Sequence, residues 1–211
     1  MTFTKSAFLF ALLFFCHALR AQSFVEVKDA AAVKKRIADA SGKFSTIQSD
    51  FLQEKNMSMF SEPTISKGTF SYKKENKVRL EYKQPGMSVL VLNDGKMMMN
   101  DGKKTTQLDL HRSRFFQQFN SVITGSVNGS LFSSKEFSVK FLENNSQIKV
   151  ELTPTAKSMR NFLSRIVMIL DKKDLTAARL EMHEPSGDNT VLTFLHKQIN
   201  SPLNDSLFTL R

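Results

Sequence analysis

The residues that could carry acid–base or metal chemistry are few and lie far apart in the sequence. His111, His183 and His196 show none of the spacings by which histidines bind a metal ion together. Glu184 directly follows His183, but adjacent residues on a strand point to opposite faces, so the two are not expected to form a catalytic pair. The histidines therefore do not predict an active centre.

Two aspartates at conspicuous positions are explained by turn geometry rather than by catalysis. Asp94 and Asp101 each precede a glycine, and this dipeptide is typical of hairpin turns. No glycine-rich segment precedes a helix as in phosphate-binding loops, and no serine lies in a nucleophile elbow. We therefore predict a protein that is not an enzyme and that needs no cofactor and no metal ion.

Residues 66–85, SKGTFSYKKENKVRLEYKQP, combine five lysines and one arginine with a regular apolar pattern. Apolar side chains occupy every second position, first at Phe70 and Tyr72 and then, after a short polar break, at Val78, Leu80 and Tyr82. Strict alternation predicts a pair of strands with one apolar face and one wet, basic face. The question is what the apolar face contacts.

The pattern in the rest of the chain predicts mainly short strands. Similar pieces, separated by turns rich in Gly, Asn and Asp, run from about residue 48 to residue 110 and again from residue 137 to the C-terminus. This order predicts a meander of about ten antiparallel strands rather than a βαβ series. Such a set fits one curved or barrel-like sheet with helices packed on it or in it.

Helical periodicity occurs in two places, once before the first strands and once between the two groups of strands. Residues 28 to about 44 place Val33 and Ile37 on one face, with lysines and arginines on the other. A second amphipathic helix is predicted in residues 112–126, where the apolar stripe consists of Phe115, Phe116, Phe119, Val122 and Ile123.

The N-terminus predicts export from the cytoplasm. Lys5 precedes an apolar run, residues 7–15, that is shorter than the roughly 20 residues of a membrane span. We expect a secretory signal, residues 1–21, cleaved after Ala21. Bulky Phe15 before Cys16 argues against a lipid-modified cysteine, and cleavage removes this cysteine, the only one in the chain.

The remaining residues, 22–211, are predicted to form one domain. Removal of Lys5 and Arg20 leaves 28 basic and 20 acidic residues, a net charge of +8. Such a charge favours anionic partners, namely phospholipid surfaces, acidic protein patches or nucleic acid. Export makes nucleic acid the least favoured of the three, and we expect no nucleic-acid partner.

The apolar composition leaves two interpretations of the interior. The chain has 19 Phe and 10 Met but no Trp. Met is flexible and polarizable, and it suits surfaces that accept varied apolar shapes. Composition alone does not separate an ordinary Phe- and Met-rich core from a cavity that accepts acyl chains.

The order of several segments resembles the periplasmic outer-membrane lipoprotein carrier protein family (LolA-like). The similar segments are FSTIQSDFLQEK (residues 44–55), residues 66–85, SVLVLNDGK (88–96), IKVELTP (148–154) and NDSLFTL (204–210). The resemblance implies an α+β, mainly β fold: an incomplete, half-open antiparallel β-barrel, with short helices forming a lid over a hydrophobic cavity.

The resemblance also implies site residues. The apolar faces of the strands would supply an acyl-binding cavity, and the second helix would supply the lid through the five residues of its apolar stripe. Lys74 lies at the turn where one branch of the family has a lid-holding arginine, and Arg79 matches an arginine that many members carry, so both are candidate lid latches. The predicted cavity residues are Phe51, Phe70, Tyr72, Val78, Leu80, Tyr82, Leu90 and Met98.

By this resemblance the protein is expected to work in the periplasm, without chemistry and as a monomer. It would take acylated lipoproteins from an inner-membrane ABC lipoprotein exporter and carry them to the outer membrane, where an acceptor is a further candidate partner. Two alternatives stay open: a carrier or acceptor of the same fold for another lipid, and an exported β-domain with a packed core. Displacement of an apolar dye by a lipopeptide distinguishes the last from the others.

Overall fold

The computed structural model of the chain describes residues 23–112 and 114–209. Within the second range, the side chains of residues 114–116, 118 and 119 are not described. The expected signal, residues 1–21, lies outside the described residues. In the described part of the chain, no helix combines the length and the apolar character needed to cross a membrane.

Twelve strands form one antiparallel sheet in the order β1-β8-β9-β10-β11-β12-β2-β3-β4-β5-β6-β7. Among the described residues, β1 and β7 are edges that do not pair with each other, so the sheet is not closed into a barrel. This confirms the predicted mainly β, half-open antiparallel fold. The strands are β1 (Val25–Glu26), β2 (Thr46–Asn56), β3 (Thr64–Lys73), β4 (Lys77–Gln84), β5 (Ser88–Asn93), β6 (Lys96–Asn100), β7 (Thr105–Asp109), β8 (Phe137–Glu143), β9 (Gln147–Pro154), β10 (Arg165–Asp171), β11 (Ala177–His183) and β12 (Asn189–Ile199).

Three α-helices accompany the sheet: α1 (Ala30–Ser41), α2 (Arg114–Asn128) and the single turn α3 (Lys157–Arg160). Short 3₁₀ turns occupy Leu110–Arg112, Ser130–Ser133 and Asp205–Phe208. The first two turns flank α2, and the third belongs to the C-terminal segment, residues 200–209, which follows β12.

Helix α1 is capped at both ends, by Asp29 and by Gly42. The Asp29 side chain accepts a hydrogen bond from the amide of Ala32 (2.9 Å) and so satisfies an unpaired donor of the first turn. Val33 and Ile37, four residues apart, are buried, and the opposite face is in solvent. The amide of Gly42 closes the helix by donating to the carbonyl of Ala38 (3.0 Å).

The hairpin between β5 and β6 follows directly from its sequence. Asp94 and Gly95 both adopt positive φ (49° and 66°), and the flanking residues Asn93 and Lys96 pair. A two-residue turn with both central residues at positive φ matches the twist of the flanking strands. The predicted Asp-Gly hairpin is confirmed here.

A glycine allows a close approach inside the sheet. Gly68 lies at a register shift between β3 and β4, where a Cβ atom would stand 2.0 Å from the Glu81 carbonyl oxygen and 2.8 Å from the Phe51 ring. Only glycine leaves room for this ring on β3. Phe51 is therefore buried against the sheet, edge-on to Tyr82 with ring centroids 5.1 Å apart.

Buried apolar side chains form two clusters on opposite faces of the sheet. The large cluster lies between the concave face and helices α1 and α2. The small cluster lies on the outer face, where Val91 and Met98 pack with Phe208 of the C-terminal segment. The sheet thus has apolar contacts on both faces of β5 and β6.

Candidate functional site

The concave face of the sheet encloses an apolar cavity of about 280 Å³. Its walls come from β2–β5 on one side and β10–β12 on the other, and helices α1 and α2 close it. Because strands separated by several positions in the sheet contribute to one cavity, the sheet must curve around it. The helices and the half-open sheet together give the arrangement expected of a lid over a hollow.

One row of side chains crosses the cavity wall at right angles to the strands. Ser49, Phe70, Leu80 and Leu90 lie directly opposite one another in β2, β3, β4 and β5. All four line the cavity, and so does Tyr82, two residues beyond Leu80. The alternation in residues 66–85 therefore points its apolar face into the cavity.

Three of the other predicted cavity residues lie on the concave face but beside the cavity rather than at its border. Phe51, Tyr72 and Val78 are buried in the large cluster but do not border the cavity. Burial raises the pKa of the Tyr72 hydroxyl. These residues support the wall and fix its position.

The predicted place of Met98 in the cavity is wrong. Met98 pairs with Val91 and Gln107, and it packs in the small cluster on the outer face. Its neighbour Met97 belongs to the large cluster on the concave side. Successive residues of a strand point to opposite faces, and three consecutive methionines give no sign of which one faces inward.

Only part of the predicted lid falls within the described side chains. Those of Phe115, Phe116 and Phe119 lie outside them, although their backbone belongs to α2. Val122 is buried in the large cluster, and Ile123 lines the cavity.

Two other parts of the cavity boundary were not predicted from the sequence. Helix α1 contributes Ile37 and Ser41 to the roof, and strands β10–β12 form the far wall. The signal for the far wall is present in the sequence, since its inward residues alternate with outward ones along each strand. These far-wall residues are Met168, Leu170, Ala177, Leu180, Met182, Thr190, Leu192 and Phe194.

The turn between β3 and β4 contacts the ends of both roof helices. The Lys74 ammonium donates to the carbonyl of Gly42 at the end of α1 (3.0 Å). The Asn128 amide, at the end of α2, donates to Asn76 in the same turn (3.0 Å). The β3–β4 turn therefore links the sheet to both roof helices through Lys74 and Asn76.

Arg79 lies elsewhere. It alternates with Val78 and Leu80 and so points to the outer face, where it donates to Glu81 (2.9 Å) and to the Leu207 carbonyl (3.2 Å). Within the described part of the chain it holds the C-terminal segment rather than a roof helix. The prediction that Arg79 could latch the lid is corrected accordingly.

Polar side chains are a minority of the cavity lining. The Tyr82 hydroxyl donates to the side-chain oxygen of Gln53 (2.9 Å), and burial raises the pKa of Tyr82. Ser49 is 3% exposed, and its hydroxyl has no hydrogen-bond partner among the described residues. Lys197 carries its charge beside the carboxylates of Asp171 and Asp174.

The histidines do not converge on the cavity. His183 contacts Glu181 (3.1 Å), and His196, at the bulge in β12, contacts Asp50 on the neighbouring strand β2 (2.9 Å). Within residues 23–112 and 114–209, no group of three or more His, Cys, Asp or Glu residues could hold a metal ion. The arrangement as described suits reversible burial of apolar chains.

Comparison with protein families gives one match over most of the chain. The model of the family described as outer membrane lipoprotein carrier protein LolA matches residues 42–211. No curated protein sequence matches the chain.

Two solved structures with TM-scores of 0.50 or above share the fold at low sequence identity. A chain of the Pseudomonas aeruginosa MucA/MucB complex is 16% identical, with a TM-score of 0.51; the match covers 83% of this chain and 59% of that one. An uncharacterized conserved protein from Thermus thermophilus is 9% identical, with a TM-score of 0.50 and coverage of 83% and 92%. The LolA superfamily protein NE2245 from Nitrosomonas europaea is 11% identical, with a TM-score of 0.43 and coverage of 83% and 97%.

Proposed function

Because the chain belongs to the outer membrane lipoprotein carrier protein LolA family, we propose that it is a periplasmic carrier for acylated lipoproteins. It binds the acyl chains of lipoproteins released from the inner membrane and conveys them to the outer membrane. The signal in residues 1–21 directs its export, and the domain formed by residues 22–211 acts as a monomer.

The single observation that carries this proposal is the apolar cavity under the roof helices. Its wall is built from side chains such as Phe70, Leu80 and Leu90, which form a continuous apolar surface. Acyl chains gain about 0.8 kcal/mol for each buried methylene and need no chemical step to leave again. Reversible burial is what a carrier requires.

Cargo enters the cavity at the end where β2 finishes. Along the inward face of β2, Ile47, Ser49 and Phe51 are buried, whereas Gln53 and Lys55 are half-buried. This gradient of exposure runs from the end closed by α1 towards an open end, which we call the mouth.

Loops at the mouth present apolar side chains to solvent. Met59 and Phe60, between β2 and β3, are 79% and 59% exposed, and Met87, between β4 and β5, is 74% exposed. Exposed apolar side chains clustered at one end of a protein are typical of an interaction surface. They support transfer of cargo at this end, from an inner-membrane ABC lipoprotein exporter and to an outer-membrane acceptor.

The roof must move to accept cargo with several acyl chains. The cavity of about 280 Å³ is slightly smaller than the roughly 300–1,000 Å³ usual for small-molecule sites. The polar links from the β3–β4 turn to the roof, through Lys74 and Asn76, are exposed and weak enough to break. Lys74 is therefore the proposed latch.

The test uses protein purified from the periplasm of cells that express the full chain. A fluorescent apolar dye is bound first, and a synthetic diacylated lipopeptide is then titrated against the same peptide without acyl chains. The proposal predicts that only the acylated peptide displaces the dye. Absence of dye binding, or equal displacement by both peptides, contradicts it and favours an exported β-domain with a packed core.

A further inference from the structure

The inward face of β2 changes from apolar to polar as it approaches the mouth. Phe51 is apolar, but the next two inward residues are Gln53 and Lys55, and both line the cavity. Lys55 lies opposite Thr64 on β3 and Thr190 on β12, and Thr190 also lines the cavity. A small polar site thus borders the mouth of a mainly apolar hollow.

The ammonium of Lys55 is not held in an ion pair within residues 23–112 and 114–209. Two lysines line the cavity, and the other one, Lys197, pairs with Asp171 and Asp174. Lys55 has neither an ion pair nor a side-chain hydrogen bond with any residue that the structure describes. Its positive charge is therefore available to a ligand.

The Asp188 carboxylate is close enough to interact with the charge of Lys55, but it forms no ion pair with Lys55 among the described residues. The Asp188 carboxylate accepts hydrogen bonds from the amide (2.8 Å) and hydroxyl (2.9 Å) of Ser58. These bonds lower the pKa of Asp188, with a smaller contribution from the charge of Lys55. Glu54 is adjacent to Lys55 on the strand and so points to the outer face.

Gln53 adds a second polar contact at a useful spacing. Its side-chain oxygen accepts the Tyr82 hydroxyl, which fixes the amide, while the amide nitrogen has no partner among residues 23–112 and 114–209. Residues two apart on a strand are separated by roughly 6.6 Å. The Gln53 amide and the Lys55 ammonium could therefore bind one lipid at two points. Such a lipid would have the carbonyl oxygen of an ester a few bonds from an anionic group.

We propose that Lys55 and Gln53 form a headgroup subsite at the mouth, where Lys55 binds the anionic group of an acyl lipid and Gln53 binds its ester carbonyl. The inference rests on the proposed function, since the acyl chain must lie in the cavity. It adds a preference: among lipids with the same chain, the protein selects those with a negatively charged headgroup. Hydrogen bonds to ionised groups are about twice as strong as neutral ones and favour this selection.

The test compares two lipids that differ only in headgroup charge. Monoacylglycerol phosphate and monoacylglycerol, with the same acyl chain, are titrated against the bound apolar dye. The purified wild-type protein is expected to bind the phosphate lipid about tenfold more tightly. Inorganic phosphate alone is expected to displace no dye, because the acyl chain of the lipid contributes most of the binding free energy. The tenfold ratio is expected to decrease as the salt concentration increases.

Three variants assign the preference to one side chain. Lys55→Met is expected to bring the affinity ratio close to one, and Lys55→Arg is expected to restore most of it. Lys67→Met is the matched control, because Lys67 is exposed, near the mouth, and on the outer face of the neighbouring strand. It removes the same charge and is expected to keep the tenfold ratio. Dye binding by each variant shows that its cavity has folded.

The outcomes separate the subsite from the proposed function. A wild-type ratio near one, with both lipids displacing the dye, overturns the subsite and leaves the carrier intact. An equal loss of preference in Lys67→Met and Lys55→Met also overturns it, because the preference would then reflect overall charge. If neither lipid displaces the dye but the diacylated lipopeptide does, the subsite is overturned and the carrier function stands; if the lipopeptide also fails, the proposed function fails and the subsite fails with it.

Discussion

Strands β5 and β6 carry apolar side chains on both faces, and the two faces are completed in different ways. On the outer face, Val91 and Met98 are covered by the C-terminal segment, in which Phe208 has no exposed surface. On the concave face, Leu90 and its partner Leu80 on β4 border an open cavity. One face is filled by the chain itself, and the other keeps space for a different molecule.

The contacts that hold the C-terminal segment emphasise this contrast. The Thr46 hydroxyl donates to the Ser201 carbonyl (2.6 Å), and Asn93 donates to the Phe208 carbonyl (3.0 Å). The concave face has a buried hydroxyl, Ser49, with no partner among the described residues. A face whose polar groups are satisfied and whose apolar groups are packed is structural, whereas the incompletely packed face is the candidate binding surface.

The largest effect on stability is expected when the outer face loses its central side chain. Phe208→Ala removes a fully buried ring and should lower the free energy of unfolding by about 3–5 kcal/mol. Urea unfolding followed by circular dichroism measures this change. Dye affinity below the unfolding transition should stay close to that of the wild type. A large loss of affinity with little loss of stability would show that the outer face, too, takes part in binding.

A charge on the concave face should abolish binding. Leu80→Glu places a carboxylate among apolar side chains, where an unpaired charge is costly, and dye affinity should fall by more than tenfold. Lys83→Glu is the control, because Lys83 lies on the same strand but on the exposed outer side. Thermal unfolding shows whether each variant is folded. Unchanged dye binding by folded Leu80→Glu would place the site elsewhere.

Two hydroxyl groups test whether the outer face forms its hydrogen bonds more completely than the concave face. Ser49→Ala removes an unpartnered hydroxyl from the concave face and should raise the free energy of unfolding by up to about 1 kcal/mol. Thr46→Val removes a hydroxyl that is bonded to the C-terminal segment and should lower it by about 1 kcal/mol. Changes of opposite sign in the free energy of unfolding, measured in urea, support this difference between the two faces. A decrease in the free energy of unfolding in both variants would mean that the Ser49 hydroxyl also forms a hydrogen bond.

The smallest effect concerns the charges that hold the C-terminal segment. Hydrogen bonds and charge from Lys73 and Lys77 hold the pKa of Asp205 below its ordinary value. A lowered pKa stabilises the folded state above the ordinary value of about 3.9, and this stabilisation is lost as the pH falls through the lowered value. Asp205→Asn should therefore lower the Tm slightly near neutral pH and leave it unchanged in strong acid. A difference that persists in acid would contradict this assignment.

The sequence predicted the parts of the fold that depend on local patterns. Alternation in residues 66–85 placed Leu80 on the same face as Phe70, and Asp94 with Gly95 predicted a hairpin. These features depend on strand geometry and turn conformation, which neighbouring residues determine.

The sequence could not predict which of two apolar faces would be covered. In residues 88–93 and 96–100 both faces are apolar, so the choice between Met97 and Met98 depends on the distant residue Phe208. Likewise, the register shift in β12 brings Lys197 rather than His196 to the cavity. Tertiary packing decides such positions, and local pattern does not.

Release of lipoproteins from membranes tests whether the protein carries acylated cargo in this cavity. Purified protein is added to spheroplasts of its own host, and the soluble fraction is examined for complexes of this protein with acylated lipoproteins. Such complexes are expected with the wild type and with Lys83→Glu, but not with Leu80→Glu. Absence of any soluble complex with the wild type, or equal release by Leu80→Glu, would contradict a carrier that holds its cargo in this cavity.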